Sequence, residues 1–281
     1  MKNLKEKISY GFFLSSAIIC IICVILICIF LFFHAIPTLL EIGFFRFIFH
    51  SNWNPSNGEY GILSMIISSI YIAVIATFIS AIIGIFSAIY LVYFCPKNLS
   101  GSLCFIINVL AGIPSVVFGF FGLMVLVPFI QHLFNVNGSN LLTASILLAI
   151  MILPTIISIS KDALYSVPKS YFEASLALGC SKEYSIFYIL LPAAKSGILT
   201  SLILGISRVI GESMAVIIVS GNQTLIPTSI FDGIRTLSSN IILEMGYASG
   251  LHYQALIATA FILFLLTLFI NLLFTILRNK K

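Results

Sequence analysis

Residues Glu173–Pro192, EASLALGCSKEYSIFYILLP, fill a polar gap between two apolar runs, and their reading decides the fold. They spell a short helix, a turn at Gly179 and a second short helix. Ser170 and Glu173 have the spacing of a capping box, while Pro168 is equally acceptable in a first helical turn, so two starts are open. Gly179 can take the positive φ that ends a helix. Ser181 can cap the second piece, which is expected to stop near Pro192.

The chain around this gap is 60% hydrophobic and 8% charged, with a mean hydropathy of +1.16. That is the composition of an integral membrane protein, because apolar stretches of about 20 residues span a bilayer. Six candidate spans follow, at roughly 11–36, 62–94, 103–130, 142–160, 194–220 and 255–277. The second exceeds the bilayer thickness, so it tilts or begins at the interface. No β-barrel alternation is visible, and helices satisfy their own backbone groups in lipid, so the expected class is all-α. The net charge of +5 does not indicate nucleic-acid binding, because the basic residues flank spans instead of forming one patch.

Those basic residues set an orientation. With the N-terminus inside, Lys2, Lys5, Lys7, Lys97, Lys161, Lys169, Lys182, Lys195, Arg278, Lys280 and Lys281 are cytoplasmic, and only Arg46 and Arg235 are outside. Eleven against two is a strong positive-inside bias. It puts the Glu173–Pro192 loop in the cytoplasm, independently of the loop's own pattern.

The start MKNLKEKISYGFF resembles a signal peptide, but its apolar run is too long and no clear small-residue cleavage site follows, so a retained first helix is expected. Cys20 and Cys23 form a C-x-x-C inside an apolar run without neighbouring His or acids. Small buried side chains are the expectation for them and for Cys28, Cys95, Cys104 and Cys180, not a metal or redox site. The sequon Asn222-Gln-Thr224 carries no weight. No G-x-x-x-x-G-K-[ST] loop is present, so ATP hydrolysis has to come from another subunit. There is no H-E-x-x-H and no nucleophile–base set. His34, His50, His132 and His252 fall near span ends and read as solvated or interfacial.

The fifth span carries Arg208-Val-Ile-Gly-Glu212, two opposite charges four residues apart and so expected on one helix face. Ser201, Gly205 and Ala215 extend that face as a narrow polar or small stripe. A charge at the bilayer centre costs about 2.5–3.5 kcal/mol, so it usually faces a cavity or a partner. The plainer reading is an intrahelical ion pair that neutralises itself. The functional one is a translocation path carrying a cation for an anionic solute, and Arg suits phosphate because its planar fork donates two hydrogen bonds. In the third span, Gly112, Pro114, Gly119 and Gly122 allow close helix approach or a locally opened backbone, with tight packing the favoured reading. Pro154 is expected to kink the fourth helix. Beyond the fifth span, Ile230, Ile234, Leu237, Ile241 and Met245 follow helical spacing, giving an amphipathic helix that serves as a lid or as a passive surface element.

Family resemblance adds to this. Glu173–Pro192 matches E-A-A-x3-G-x9-I-x-L-P, the EAA loop of ABC-importer permeases, with Ser175 replacing one Ala. Together with AGIPSVVFGFFGL, MILPTI, SRVIGESMAV, GN at 221–222, RTL at 235–237 and EMGYASGLHYQAL at 244–256, the chain resembles the PstC family of phosphate-specific ABC-importer permeases from about Trp53 to Asn271. The sister PstA family shares the IPS, LP and R-x-x-GE patterns, and the EMGYASGLHYQAL segment with Met214 favours PstC. The resemblance implies a type I (MetI-like) importer fold, with 1–281 a single transmembrane permease domain, 62–277 its approximate core and 161–193 the cytoplasmic ATPase-coupling loop. It implies coupling roles for Glu173, Ala174, Gly179, Leu191 and Pro192, and a place in the transport path for Arg208 and Glu212. Implied partners are a PstA-like permease, a dimer of PstB-like ATPases holding ATP-Mg, and a PstS-like external phosphate-binding protein. The chain itself is expected to be no enzyme and to carry no cofactor, in the plasma membrane of a bacterium or archaeon with both termini cytoplasmic. A permease for another oxyanion, such as molybdate or sulfate, stays open beside phosphate. A membrane enzyme or standalone ion-coupled carrier is the alternative of a different class.

Overall fold

The computed structural model describes residues 2–279, with side chains described for Glu6 and for 9–276. Lys280 and Lys281, and the side chains of Lys2, Lys5, Lys7 and Arg278, lie outside the described residues. In chain order the elements are α1 (Lys2–Ile42), α2 (Phe44–Phe49), the strands β1 (Trp53–Asn54) and β2 (Glu59–Tyr60), α3 (Leu63–Ile89), α4 (Lys97–Ala111), α5 (Ser115–Phe121), α6 (Val127–Phe134), α7 (Leu141–Tyr165), α8 (Lys169–Ala177), α9 (Lys182–Ser185), α10 (Leu191–Ala193), α11 (Lys195–Gly211), α12 (Met214–Val219), α13 (Leu237–Met245) and α14 (Gly250–Asn279). Single π-helical turns prolong α3 to Phe94, join α5 to α6 and join α9 to α10. The antiparallel hairpin, pairing Trp53 with Tyr60, is a small exception to an otherwise helical fold.

Ser9–Ile42, Leu63–Phe94, Ser115–Phe134, Leu141–Tyr165 and Gly250–Ile276 are each long and apolar enough to cross a bilayer. A sixth crossing is counted when Lys182–Ala193 and Lys195–Gly211, bent by 69°, are taken together. Two expected spans differ from continuous rods. The third breaks at Gly112–Pro114, because Pro114 has no N–H to give and disfavours helix in the residue before it. The fifth ends at Gly211, and a separate short helix resumes at Met214. The fourth runs unbroken through Pro154.

The centre is a three-helix packing. α3 runs along α7, and α11 lies against both. Glycine permits this: a Cβ on Gly84 would stand 2.7 Å from Ile156 Cγ2, and one on Gly205 3.3 Å from Ile156 Cδ1. Ile72, Ala76, Leu148, Ile152, Ile156 and Val209 are buried there. Ser80 Oγ donates to the Ala149 carbonyl at 2.9 Å, and the Ser160 and Ser201 hydroxyls meet at 2.9 Å. The third span's glycines divide by role. Gly119 and Gly122 pack against α12 and α7, where a Cβ would come within 2.7 Å of Ile218 and 2.9 Å of Leu147 and Val219, whereas Gly112 belongs to the helix break.

Two further cores close the ends of α3. Ala88, Ile89, Leu164, Ile186, Leu190 and Ala194 form one beneath the Glu173–Pro192 loop. Ala35, Leu39, Phe47, Trp53, Ile62 and Leu237 belong to the other, at the far end. α1 packs on α14 and otherwise presents apolar side chains outward. Cys20 and Cys23 sit on that outward surface, so the buried placement expected for them is corrected: α1 has too little packed around it to cover them. Among the described residues no group of three metal-ligating side chains occurs.

The segment after α12 is only partly the helix its spacing suggests. Helix begins at Leu237, not Ile230. Residues before it are diverted by the Asp232 carboxylate, which accepts from Thr228 N at 2.7 Å, Ser229 N at 2.8 Å and Thr228 Oγ1 at 3.0 Å. Those donors hold the carboxyl below its usual range, so this turn's contribution is present above that range and fades as pH falls through it. The carbonyls of Ile230 and Asp232 accept from Leu142 N and Leu141 N at the start of α7.

Candidate functional site

The Glu173–Pro192 loop is two helices folded against each other. α8 starts at Lys169 with Pro168 at its N-cap and no side-chain cap, so the Ser170–Glu173 capping box does not form and Pro168 precedes the first helical turn instead of lying in it. Gly179 has φ +84° and ends the first helix; Ser181 Oγ accepts from Tyr184 N at 3.2 Å and starts the second. The second helix passes Pro192 and reaches Ala193 through a π turn. Ser175, where the family motif has Ala, is buried and donates to Ser185 Oγ at 2.7 Å, fastening the two arms. Lys182 Nζ donates to the Tyr93 carbonyl at 2.6 Å and lies 4.4 Å from the Phe94 ring centre, which fixes the loop to the end of α3.

The loop's outward side is uncovered. Glu173, Ala174, Gly179 and Pro192 are exposed and Leu191 is partly so. Tyr171, Leu178 and Tyr188 add a large apolar surface, with Leu178 86% exposed. A cleft of about 220 Å³ opens beside it, lined by Tyr93, Tyr165, Lys169, Phe172 and Glu173. No Cβ neighbour lies within 4 Å of Gly179, so substitution there meets only the conformational penalty of positive φ. Gly179→Val should therefore leave membrane insertion and core packing intact while weakening co-purification of a docked ATPase. Unchanged co-purification and unchanged ATP-driven uptake would reject a docking role for the turn.

Arg208 and Glu212 are separated by the end of α11. Glu212 has left the helix (φ −75°, ψ 131°), so the expected shared face and ion pair are not formed. Its Oε1 instead accepts from Ala215 N at 3.2 Å, capping α12, and its carbonyl accepts from Ser238 Oγ at 2.8 Å. Arg208 is exposed, with Nη1 donating to Thr155 Oγ1 on α7 at 3.2 Å. The small-residue stripe is corrected likewise: Ser201, Gly205 and Ala215 are buried in helix packing, while Arg208 faces outward beside exposed Leu204, Gly211 and Met214. The arrangement is an exposed guanidinium beside exposed apolar side chains, next to a helix break where Glu212 Oε1 and the Glu212 carbonyl already have partners.

A third constellation was not legible as a unit. Glu244 is buried at the far end of the bundle and receives Trp53 Nε1 at 2.8 Å, Arg235 Nη1 at 2.7 Å and His252 Nε2 at 2.8 Å. Arg235 also donates to the Asn222 carbonyl and to Asn240 Oδ1, both at 3.1 Å. His252 is thus hydrogen-bonded to Glu244 and not a free interfacial side chain. Trp53 lies 191 residues from Glu244, whereas Arg235 and His252 lie 9 and 8 residues from it, inside the RTL and EMGYASGLHYQAL segments. The signal in the sequence was those two segments, which hold Arg235, Glu244 and His252 but do not by themselves bring them to Trp53.

The sequence matches the family model for binding-protein-dependent transport system inner membrane components over residues 80–281. It is 42% identical over 207 residues to a probable ABC transporter permease protein, YqgH, of Bacillus subtilis, covering 73% of this chain and 67% of the relative. It is 35% identical over 247 residues to the phosphate transport system permease protein PstC of Mesorhizobium japonicum, covering 80% and 76%. In fold it resembles a chain of the inward-facing MetNI methionine ABC transporter, with a TM-score of 0.63 at 19% identity over 77% of this chain and 94% of the other.

Proposed function

This chain belongs to the family of binding-protein-dependent transport system inner membrane components, and from that membership we propose that it is the permease subunit through which an ATP-driven importer takes up inorganic phosphate. Membership implies a separate ATPase and a substrate-binding protein as partners. The finer assembly is a PstA-like second permease, two PstB-like ATPases binding ATP-Mg and a PstS-like receptor outside, with both termini cytoplasmic, 62–277 as core and 161–193 as coupling loop. The single observation behind the path assignment is the exposed guanidinium of Arg208 on α11, whose opposite end is the docking loop. ATPase movement at the loop is then delivered to the helix that presents the cation. Phosphate, released from its receptor, meets Arg208 through a two-donor contact that an ammonium could not reproduce. The second permease covers the open apolar face of α4, α5 and α11.

The test is ATP hydrolysis and uptake by the reconstituted complex in vesicles. Inorganic phosphate with its receptor should stimulate both, and omission of the second permease should abolish uptake. Stimulation by sulfate or molybdate with their receptors, and none by phosphate, would reassign the solute. Uptake without a second permease would reject the heteromeric path.

A further inference from the structure

We infer that Ser238, at the start of α13, is a positioning residue for the helix break at Glu212, and that α13 is the element that holds this break in shape. The inference rests on the reading of Arg208 and Glu212 as part of the transport path. It begins from an orphaned carbonyl. Ending α11 at Gly211 leaves carbonyls without intrahelical donors, and each needs another partner. The Glu212 side chain cannot supply it, because a carboxylate only accepts, as it does from Ala215 N. Ser238 Oγ supplies it, at 2.8 Å to the Glu212 carbonyl.

α13 is fixed well enough to act as a reference. Thr236 and Ser239 form a reciprocal capping box at its start. Leu237 N donates to Ser69 Oγ on α3 at 3.0 Å, one residue before Ser238. Thr236, Leu237, Ser238, Ser239 and Asn240 are all buried. Its last turn is held by the Glu244 contacts to Trp53, Arg235 and His252. The helix is therefore clamped at both ends, and between the clamps it offers one hydroxyl to the break. Arg208 lies four residues before Glu212, in the last turn of α11, so the break that Ser238 holds adjoins the turn that carries the guanidinium. α13 thus acts as a fixed strut that reaches the break through Ser238.

The experiment compares Ser238→Ala and Ser238→Cys in the fully assembled complex reconstituted in vesicles, with phosphate and its receptor. Maximal uptake per assembled complex should fall about three- to tenfold in the Ala variant, the range of couplings carried by single contacts, and by less in the Cys variant, which retains a weak donor. The concentration giving half-maximal uptake should not move, because the receptor sets it. If Ser238 acts through Glu212, adding Ser238→Ala to Glu212→Ala should cost little more than Glu212→Ala alone. Unchanged uptake in Ser238→Ala, independent multiplication of the two effects, or lost assembly with normal uptake per surviving complex would each overturn the inference. Arg208→Lys, measured in parallel, separates the two ideas. Impaired Arg208→Lys with normal Ser238→Ala rejects only the positioning role; normal uptake in Arg208→Lys and Arg208→Gln alike rejects the path reading and the inference with it.

Discussion

Truncating Glu244 to alanine is expected to destabilise the chain by about 2–4 kcal/mol, because it strips three donors of one shared acceptor in a buried site. Its two oxygens take Arg235 on one side, and Trp53 and His252 on the other. Arg235 keeps Asn240 and the Asn222 carbonyl, so its charge is not left wholly unpaired, and the loss stays below that of a fully isolated ion. Trp53 Nε1 and His252 lose the partner that the structure gives each of them. Glu244→Gln should fall between, since one amide oxygen remains as acceptor while the amide NH2 confronts donors. Thermal unfolding of the detergent-purified chain measures the difference. A Glu244→Ala protein that melts with the original would show that the cluster contributes nothing net, as paired charges in other buried sites sometimes do.

The span pattern was legible because its cause is local: runs of apolar residues and the lysines beside them need no tertiary context. The Glu173–Pro192 turn was legible for the same reason, since Gly179 and Ser181 act on their own backbone and on residues three away. What the sequence hid were features decided by partners across the bundle. Arg208 and Glu212 stand at helical spacing, so periodicity places them on one face; the helix ends between them because Ala215 N and Ser238 Oγ make an opened Glu212 satisfactory. Nothing at positions 208–212 announces those partners. Ile230 likewise fits a helical stripe, and loses to the Asp232 turn, whose three donors are themselves locally encoded. The Glu244 cluster draws on residues 53, 222, 235, 240 and 252, a gathering that only the folded chain creates.

Replacing Arg208 should separate transport from folding, and the separation follows from the missing ion pair. Were Arg208 bonded to Glu212, its loss would strand a carboxylate in the membrane and failure to fold would mask any transport role. In the structure Glu212 accepts from Ala215 N and, among the described residues, Arg208 donates to Thr155 and forms no ion pair, so its removal strands no paired charge. An exposed arginine on an apolar helix costs about 2.5–3.5 kcal/mol to insert, so Arg208→Gln should insert and assemble at least as well as the original. Phosphate uptake should nevertheless fall by about a hundredfold, equivalent to about 2.7 kcal/mol, because the charged partner of a dianionic solute is gone. Arg208→Lys keeps the charge and loses the fork, and about a tenfold loss is expected. Assembled complex, quantified beside vesicle uptake, decides the interpretation. Full assembly with the graded loss places the guanidinium on the solute's route. Full assembly with original uptake in both variants makes Arg208 a structural side chain, and the route then has to be sought elsewhere on the open face of α4 and α5.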